Sequence, residues 1–327
     1  MSRRSVIALG QAGVDFVGRE PDTSLQNMHT FEKAGGGTPA NTAVGLAKLG
    51  IPVIFIGKVG NDSFGHFLAE TLKSNGVDVS QLIYDKTAKT TIGFESTLKN
   101  PELLIYGDPG PHILLKKKEI NLSCFQNDTY LFLFGSMTLT HTPGREATFY
   151  AVDEALKKHI PVSFDPNLRI SIWPSDREAK KTIRRALSKA NIVKLSFDEY
   201  CFLSDYDNAE KMNDFRQTYN IDLLFVTSSK GCYYCSKKVF SFVKGFEVEV
   251  KDTTGAGDGF CTGFLYKILQ LKAVQSQSLS NLSNEQLISI AKFANASGAL
   301  TTTKLGVIPA LPSLQEINSF LMKKSKK

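Results

Sequence analysis

No stretch of this 327-residue chain holds 18 consecutive apolar residues, which excludes a hydrophobic membrane-spanning helix. There is no G-x-x-x-x-G-K-[ST], so the chain is not a P-loop enzyme. No G-x-G-x-x-G follows the first apolar run, which disfavours a dinucleotide-binding protein. Cysteine is scarce: Cys124, Cys201, Cys232, Cys235 and Cys261 form an odd, scattered set that argues against a disulfide framework. The C-x-x-C at 232–235 lies in a β-like run and has no second pair to complete a zinc site, so neither redox nor zinc chemistry is expected. The five histidines show no ligand spacing. The net charge is +7, yet no arginine-rich stripe with interleaved aromatics is present, so no nucleic-acid partner is expected. The densest basic runs, Lys116–Lys118 and the tail from Lys323 to Lys327, suit solvated surface and a frayed end. Met1–Ser5 leads directly into apolar Val6–Leu9, too short for a signal-peptide core, and the expected location is cytoplasmic with no membrane partner. There is no internal repeat, and Ser276–Ser283 is a polar loop of no evident chemistry.

What is present is an ordinary globular composition, 42% hydrophobic and 22% charged, with ample chain for a large core. Short apolar runs at Val6–Leu9, Val53–Ile56, Leu131–Phe134, Val162–Phe164, Ile192–Leu195 and Leu223–Val226 have the pattern of buried parallel strands. Helix-like segments lie between them at roughly 39–49, 61–75, 144–158, 175–189 and 207–219. Asp62 and Ser175 are placed to open helices, and Gly50 and Gly76 to close them. The alternation predicts an α/β fold, a doubly wound and mainly parallel sheet flanked by helices. Two stretches, about 11–34 and 77–118, break the pattern without room for a crossover helix. Strand-like Thr90–Thr97 and Leu103–Tyr106 flank a turn at Lys99–Glu102. These stretches are expected to form a small β-sheet lid on a single domain spanning 1–327. A lid suits a phosphoryl-transfer site, because water would otherwise hydrolyse the donor.

The most informative segment is Val250–Gly259, where Gly255-Ala256-Gly257-Asp258 runs into the apolar periodic stretch Phe260, Phe264, Leu265, Ile268, Leu269 and Leu271. That stretch predicts an amphipathic helix. A flexible loop entering a helix N-terminus offers free N–H groups and a favourable dipole to an anion. Glycines 255 and 257 allow close backbone approach. A carboxylate in such a cradle would repel a bound phosphate unless it acts chemically, and a general base at Asp258 is the economical explanation. The plain alternative is a Gly-rich turn with Asp258 as a first-turn acid.

The wider word D-T-x-G-A-G-D-x-F, from Asp252 and Thr253 to Asp258 and Phe260, resembles the C-terminal signature of the ribokinase-like (PfkB) carbohydrate kinase family. A second word of that family lies earlier at Gly35-Gly36-Gly37-Thr38-Pro39-Ala40-Asn41-Thr42-Ala43. The resemblance covers nearly the whole chain. It implies that the amides of Gly255, Ala256 and Gly257 stabilise charge on the transferring phosphate and that Asp258 accepts the proton of the sugar hydroxyl. It implies that Asp15, Gly36, Gly37 and Asn41 line the sugar pocket, with a helix cap around 38–41 as the structural alternative. Arg169, in Asp165-Pro166-Asn167-Leu168-Arg169 after a strand, would reach a phosphate or sugar oxygen, or else brace Asp165 in an ion pair.

On the nucleotide side the resemblance places ATP against Lys194, Glu199, Thr227, Gly231 and Asn295. Glu199, in Ser196-Phe197-Asp198-Glu199, matches the acid that organises the Mg²⁺ water shell, although Ser196 replaces the family's Asn. Thr227-Ser228-Ser229-Lys230-Gly231 matches the nucleotide loop T-x-G-x-x-G but is one residue shorter and lacks the first Gly. A K⁺ site is implied at Asp252, Thr254, Thr301 and Gly306, with ligands that are largely backbone carbonyls. Family members often dimerise through the lid, so a homodimer is expected. Ile105-Tyr106-Gly107-Asp108-Pro109-Gly110-Pro111 resembles the fructokinase lid, with Gly107 in the place of an Arg. The expected activity is ATP-dependent phosphorylation of fructose. Within the enzyme class, 2-keto-3-deoxygluconate kinase, ribokinase and nucleoside kinase are the alternatives. A catalytically silent sugar- or nucleotide-binding protein is the alternative from another class.

Overall fold

A computed structural model describes residues 5–98, 102–107, 110–126, 129–271 and 279–325. Of the features singled out above, Met1–Arg4, turn residues Lys99–Pro101, lid residues Asp108 and Pro109, residues 276–278 of the polar loop, and the last two lysines lie outside the described residues.

The described strands are β1 (Val6–Leu9), β2 (Gly13–Gly18), β3 (Phe31–Gly36), β4 (Val53–Gly60), β5 (Asp78–Asp85), β6 (Ile92–Glu95), β7 (Leu103–Tyr106), β8 (Leu131–Phe134), β9 (Val162–Phe164), β10 (Ile192–Ser196), β11 (Leu223–Ser228), β12 (Gly231–Ser236) and β13 (Phe240–Lys244). The helices are α1 (Thr38–Lys48), α2 (Ser63–Ser74), α3 (Gly144–Lys157), α4 (Asp176–Leu187), α5 (Phe197–Ser204), α6 (Met212–Thr218), α7 (Ala256–Gln270), α8 (Asn284–Thr301), α9 (Val307–Ala310) and α10 (Leu314–Lys324). All six apolar runs named from the sequence are strands, and the five helix-like segments are helices within a few residues, the last entered through a 3₁₀ turn at Ala209–Lys211. The Asp62 side chain accepts from the N–H groups of Phe64 and Gly65, and the Ser175 hydroxyl from Glu178 N–H, so both cap as expected. Gly50 and Gly76 follow their helices at φ 84° and 83°, a conformation that favours glycine.

Nine strands form one sheet in the order β13-β12-β11-β10-β9-β8-β1-β4-β5. Seven of them are parallel, and β12 and β13 add an antiparallel edge. Alternation along each strand feeds two separate cores. Val6 and Ala8 face a core with residues of α1, α7 and α8, whereas Ile7 and Leu9 face a core with residues of α3 to α6. The chain runs outward from β1 through β4 to β5, then returns to β8 on the other side of β1. This reversal opens a crevice at the carboxyl ends of the strands, where ligands bind in open α/β sheets.

A second sheet, in the order β3-β2-β6-β7, forms the lid. Its register pairs Asp15 with Gly93 and Val17 with Glu95, and pairs Gly93 with Ile105 and Glu95 with Leu103. Period-two alternation therefore places Asp15, Gly93, Glu95, Leu103 and Ile105 on one face. On the other face Phe16 stacks on Phe94 at 5.2 Å, and Phe31 and Tyr106 meet Phe94 edge-on, which holds the lid strands together. The lid expected from 77–118 is narrower than that range. Asp78–Asp85 is instead the edge strand β5 of the main sheet, paired with β4, because its partly apolar face packs under α2.

Helix α7 also departs from expectation. It is not amphipathic: Asp258–Tyr266, Ile268 and Leu269 are all buried, between α1 and α8. Small residues allow this crowding. A Cβ on Gly263 would lie 2.8 Å from Ala294 Cα, and one on Gly45 2.2 Å from Thr262 Oγ1.

Candidate active site

The buried α7 presents its N-terminus to the crevice. Gly255 is the N-cap at φ 78°, and a Cβ there would also lie 2.4 Å from Val307 Cγ1, so both conformation and space call for glycine. A Cβ on Gly257 would lie 2.9 Å from Lys194 Nζ. The expected trio of amide donors is altered. Ala256 N–H is engaged by Thr253 O at 3.3 Å, and Thr254 N–H by Asp252 Oδ1 at 2.8 Å. The N–H groups of Gly255, Gly257 and Asp258 have no acceptor among the described residues, so they are the donors open to an anion.

Asp258 lies on the first turn of α7 and is 7% exposed. Its Oδ2 accepts a 2.7 Å hydrogen bond from Asn41 Nδ2. Burial raises its pKa above the ordinary carboxylate range, while Asn41, Lys194, Thr38 and Arg169 pull it down. A buried but hydrogen-bonded carboxylate beside an anion-receptive helix end is equipped to take a proton from a neighbouring hydroxyl. Asn41 is buried within the first turns of α1, and its Oδ1 has no partner among the described residues. Thr38 begins that helix, and Asn167 donates to its hydroxyl.

The cleft in front of Asp258 has a volume of about 730 Å³. Asp15, Gly37, Asn41, Arg169, Lys194, Glu199, Thr227, Thr254, Gly255, Ala256, Gly257 and Asp258 all line it. Gly36 supports it from behind, since a Cβ there would lie 1.8 Å from Asp15 Oδ2. Gly37, at φ 106°, would clash with Gln11 O if it carried a side chain. Burial, aided by Glu95 and Asp258 and opposed by Arg169, lifts the Asp15 carboxyl to about 7. Arg169 does not brace Asp165, the alternative considered above. Lys194 does, at 3.2 Å, and both partners are buried. Burial disfavours the Lys194 charge, but Asp165, Glu199 and Asp258 outweigh it and keep the ammonium protonated beneath Gly257.

Two expected residues, Asn295 and Gly231, are placed differently, whereas Thr301 was expected to act through its carbonyl. Asn295 is turned from the cleft: its amide donates to Val243 O and Lys244 O and ties α8 to β13. Gly231, at φ 141°, closes a tight hairpin between β11 and β12, where a Cβ would lie 2.2 Å from Val243 O. Only Thr227 of that loop lines the cleft. Thr301 spends its hydroxyl on Ser297 O within α8. Glu199 lines the cleft with both oxygens already bonded, to Leu168 N–H at 2.6 Å and Ser196 N–H at 2.7 Å, the latter part of a capping box for α5. Asp252 gathers the other implied cation residues through its own carboxylate, which accepts from Thr254 N–H and, at 3.0 Å, from Gly306 N–H. Among the described residues no group of three or more His, Cys, Asp or Glu is arranged to hold a metal ion, and no helix is long and apolar enough to cross a membrane.

Sequence reasoning missed Glu95 as a cleft residue. It lies on β6 of the lid, lines the cleft, and accepts a 3.1 Å hydrogen bond from Thr254 Oγ1. An acid two residues beyond Gly93 in a lid strand was the available signal, but the face it occupies depends on register.

A helix end open to an anion, facing a polar floor the size of a small metabolite, suits phosphoryl transfer to a hydroxyl-bearing acceptor, and that class of enzyme is the one this fold and cleft define. The comparisons with known proteins narrow it. Residues 3–314 match the pfkB family carbohydrate kinase. The chain is 38% identical over 321 residues to probable fructokinase-4 of Arabidopsis thaliana, covering 97% of this chain and 96% of that protein. Among solved structures, fructokinase with bound ATP from Xylella fastidiosa superposes with a TM-score of 0.89 at 29% identity, covering 98% of this chain and 99% of that one. A double mutant of Vibrio cholerae O395 fructokinase, in a form with fructose, ADP and potassium bound, gives a TM-score of 0.85 at 31% identity, over 97% and 98% of the two chains. The chain belongs to the PfkB family of carbohydrate kinases.

Proposed function

We propose that this carbohydrate kinase is a fructokinase, transferring the γ-phosphoryl group of ATP to the primary 6-hydroxyl of D-fructose. The observation that carries the reading is the placement of Asp258, at the mouth of α7 and bonded to Asn41, in one cleft with Asp15. Asp258 takes the proton as the hydroxyl oxygen forms its bond to phosphorus, and the bond from phosphorus to the bridging oxygen breaks to release ADP. The free N–H groups of Gly255, Gly257 and Asp258 meet the charge that develops on the phosphoryl oxygens. Arg169 and Lys194 add positive field, the latter held in place by Asp165. The relatives with bound ATP or with fructose and ADP support this choice of donor and acceptor.

Among the described residues no cluster of His, Cys, Asp or Glu forms a metal cage; Asp165 and Glu199 would stand near a Mg²⁺ brought in on the ATP phosphates. When bound, Mg²⁺ neutralises phosphate charge. A K⁺ ion held by carbonyls around Asp252, Thr254 and Gly306 fits the way the Asp252 carboxylate gathers those loops. Two copies of the chain would pair through the outer face of lid strand β7, where Leu104 and Tyr106 are exposed, and light scattering would report the mass.

The test is incubation with ATP, Mg²⁺ and a panel of fructose, ribose, 2-keto-3-deoxygluconate, adenosine and glucose. Fructose should have the highest kcat/KM and yield fructose 6-phosphate. A different winner would overturn the fructokinase reading while leaving the kinase intact. No ADP above the buffer rate with any sugar would favour the catalytically silent binding protein.

A further inference from the structure

The floor of the acceptor pocket carries more negative charge than proton abstraction needs. Asp258 suffices as base, yet Asp15 and Glu95 share the cleft-facing side of the lid sheet. Their neighbours are Arg169 from the segment after β9, Asp252 from the loop before α7, and Asp258 itself. Among the described residues the one cation facing this group is Arg169, because Lys194 is committed to Asp165. Glu95 is held by a single described contact, the hydroxyl of Thr254 on its Oε1, while the residue lines the cleft. Burial raises the Glu95 carboxyl above its ordinary range and Asp252 adds to the effect.

Resting on the fructokinase reading, we infer that Glu95 is a specificity-determining residue that accepts a hydrogen bond from a neutral sugar and excludes acceptors bearing a carboxylate. The physical reason is asymmetric. A polyol satisfies the free carboxylate oxygen with a hydroxyl donor. A sugar acid brings a second negative charge into a partly dehydrated pocket already rich in carboxylates, where repulsion between like charges a few ångströms apart is strong. Glycine at 93 keeps the floor open, since a Cβ there would lie 2.8 Å from Asp15 Oδ1, so the two carboxylates and not a steric wall meet the acceptor.

The experiment compares kcat/KM for fructose and 2-keto-3-deoxygluconate in the wild type and in Glu95→Gln. The amide oxygen of Gln can still accept from Thr254, so the lid contact survives while the charge is removed. The preference for fructose should shrink about ten- to a hundredfold. The change should lie mainly in a lower KM for the sugar acid, with its kcat little altered. Direct titration of 2-keto-3-deoxygluconate in the presence of ADP should show the same gain in affinity. In the wild type, lowering the pH from 8 to 6 protonates Asp15, whose carboxyl is lifted to about 7, beside Glu95 while the sugar acid stays ionised, so the preference should also narrow. This second arm stands if the variant fails to fold. A preference unchanged in both arms overturns the inference and leaves the fructokinase reading untouched. If no sugar is phosphorylated, the fructokinase reading fails, and the titration still decides whether Glu95 repels the anion.

Discussion

Asn41 Nδ2 donates to Asp258 Oδ2 across 2.7 Å, although the two residues stand 217 positions apart in the chain. The bond joins the first turns of α1 and α7, and it fixes the carboxylate at the N-terminal end of α7, which faces the crevice. Asn41 Oδ1 is left without a protein partner among the described residues.

Asp258→Asn is nearly isosteric but cannot accept a proton. Turnover should fall by roughly 10²–10⁴-fold or more, while nucleotide binding and the thermal transition stay near those of the wild type. Steady-state kinetics beside a nucleotide titration check this, and turnover within tenfold of the wild type would remove Asp258 as the base.

Asn41→Ala removes the donor to Asp258 and one lining group of the cleft. The kcat/KM for sugar should fall roughly ten- to a hundredfold, the scale of a lost hydrogen bond to a charged group. The dissociation constant for ATP should change little. Equal losses on both ligands would show that the substitution disturbs the whole cleft.

Asp15 makes stability depend on pH. Its carboxyl titrates near 7 in the fold against about 3.8 in the unfolded chain, so between these values the folded state holds the extra proton. Stability therefore falls as pH rises through this window. Asp15→Asn lacks the effect. Its stability relative to the wild type should be unchanged near pH 4 and should rise to a plateau of roughly 4 kcal/mol above about pH 8. Denaturant melts at pH 5 and pH 8 compare the two, and a constant difference would contradict the raised carboxyl.

Gly255→Ala forces a left-handed conformation on an L-residue and drives a methyl group into Val307. The strain alone costs about 1–2 kcal/mol. A lower melting temperature and lost activity are expected together. Val307→Ala should relieve part of the loss, because it removes the Cγ1 atom that the new methyl meets.

Activity in a K⁺-free assay should rise on adding K⁺, and Asp252→Asn should weaken that response by loosening the loops held at Thr254 and Gly306. A flat response would remove the cation from the scheme and leave phosphoryl transfer intact. In the same assay Glu199→Gln should raise the Mg²⁺ concentration needed for half-maximal rate.

Much of this protein was legible in its sequence, because the signals were local. Buried parallel strands are continuous apolar runs, so β8 and β9 could be bounded to the residue. Asp62 and Ser175 cap through their own side chains. Gly255 and Asp258 announce a helix end, since glycines before an apolar periodic run mark a chain entering a helix. The tertiary structure decided what depends on which elements become neighbours. Strand β5 joined the main sheet and not the lid because β4 offered it a free edge. Helix α7 lost its polar face because α1 and α8 enclose it. Asn295 turned to the β13 carbonyls, and Lys194, not Arg169, took Asp165. Glu95 entered the cleft because lid register sets which alternate side chains face inward. Local periodicity specifies an element and its faces. Which residues meet across more than 200 positions is set by sheet order and helix packing, and these have no counterpart in the pattern of any single segment.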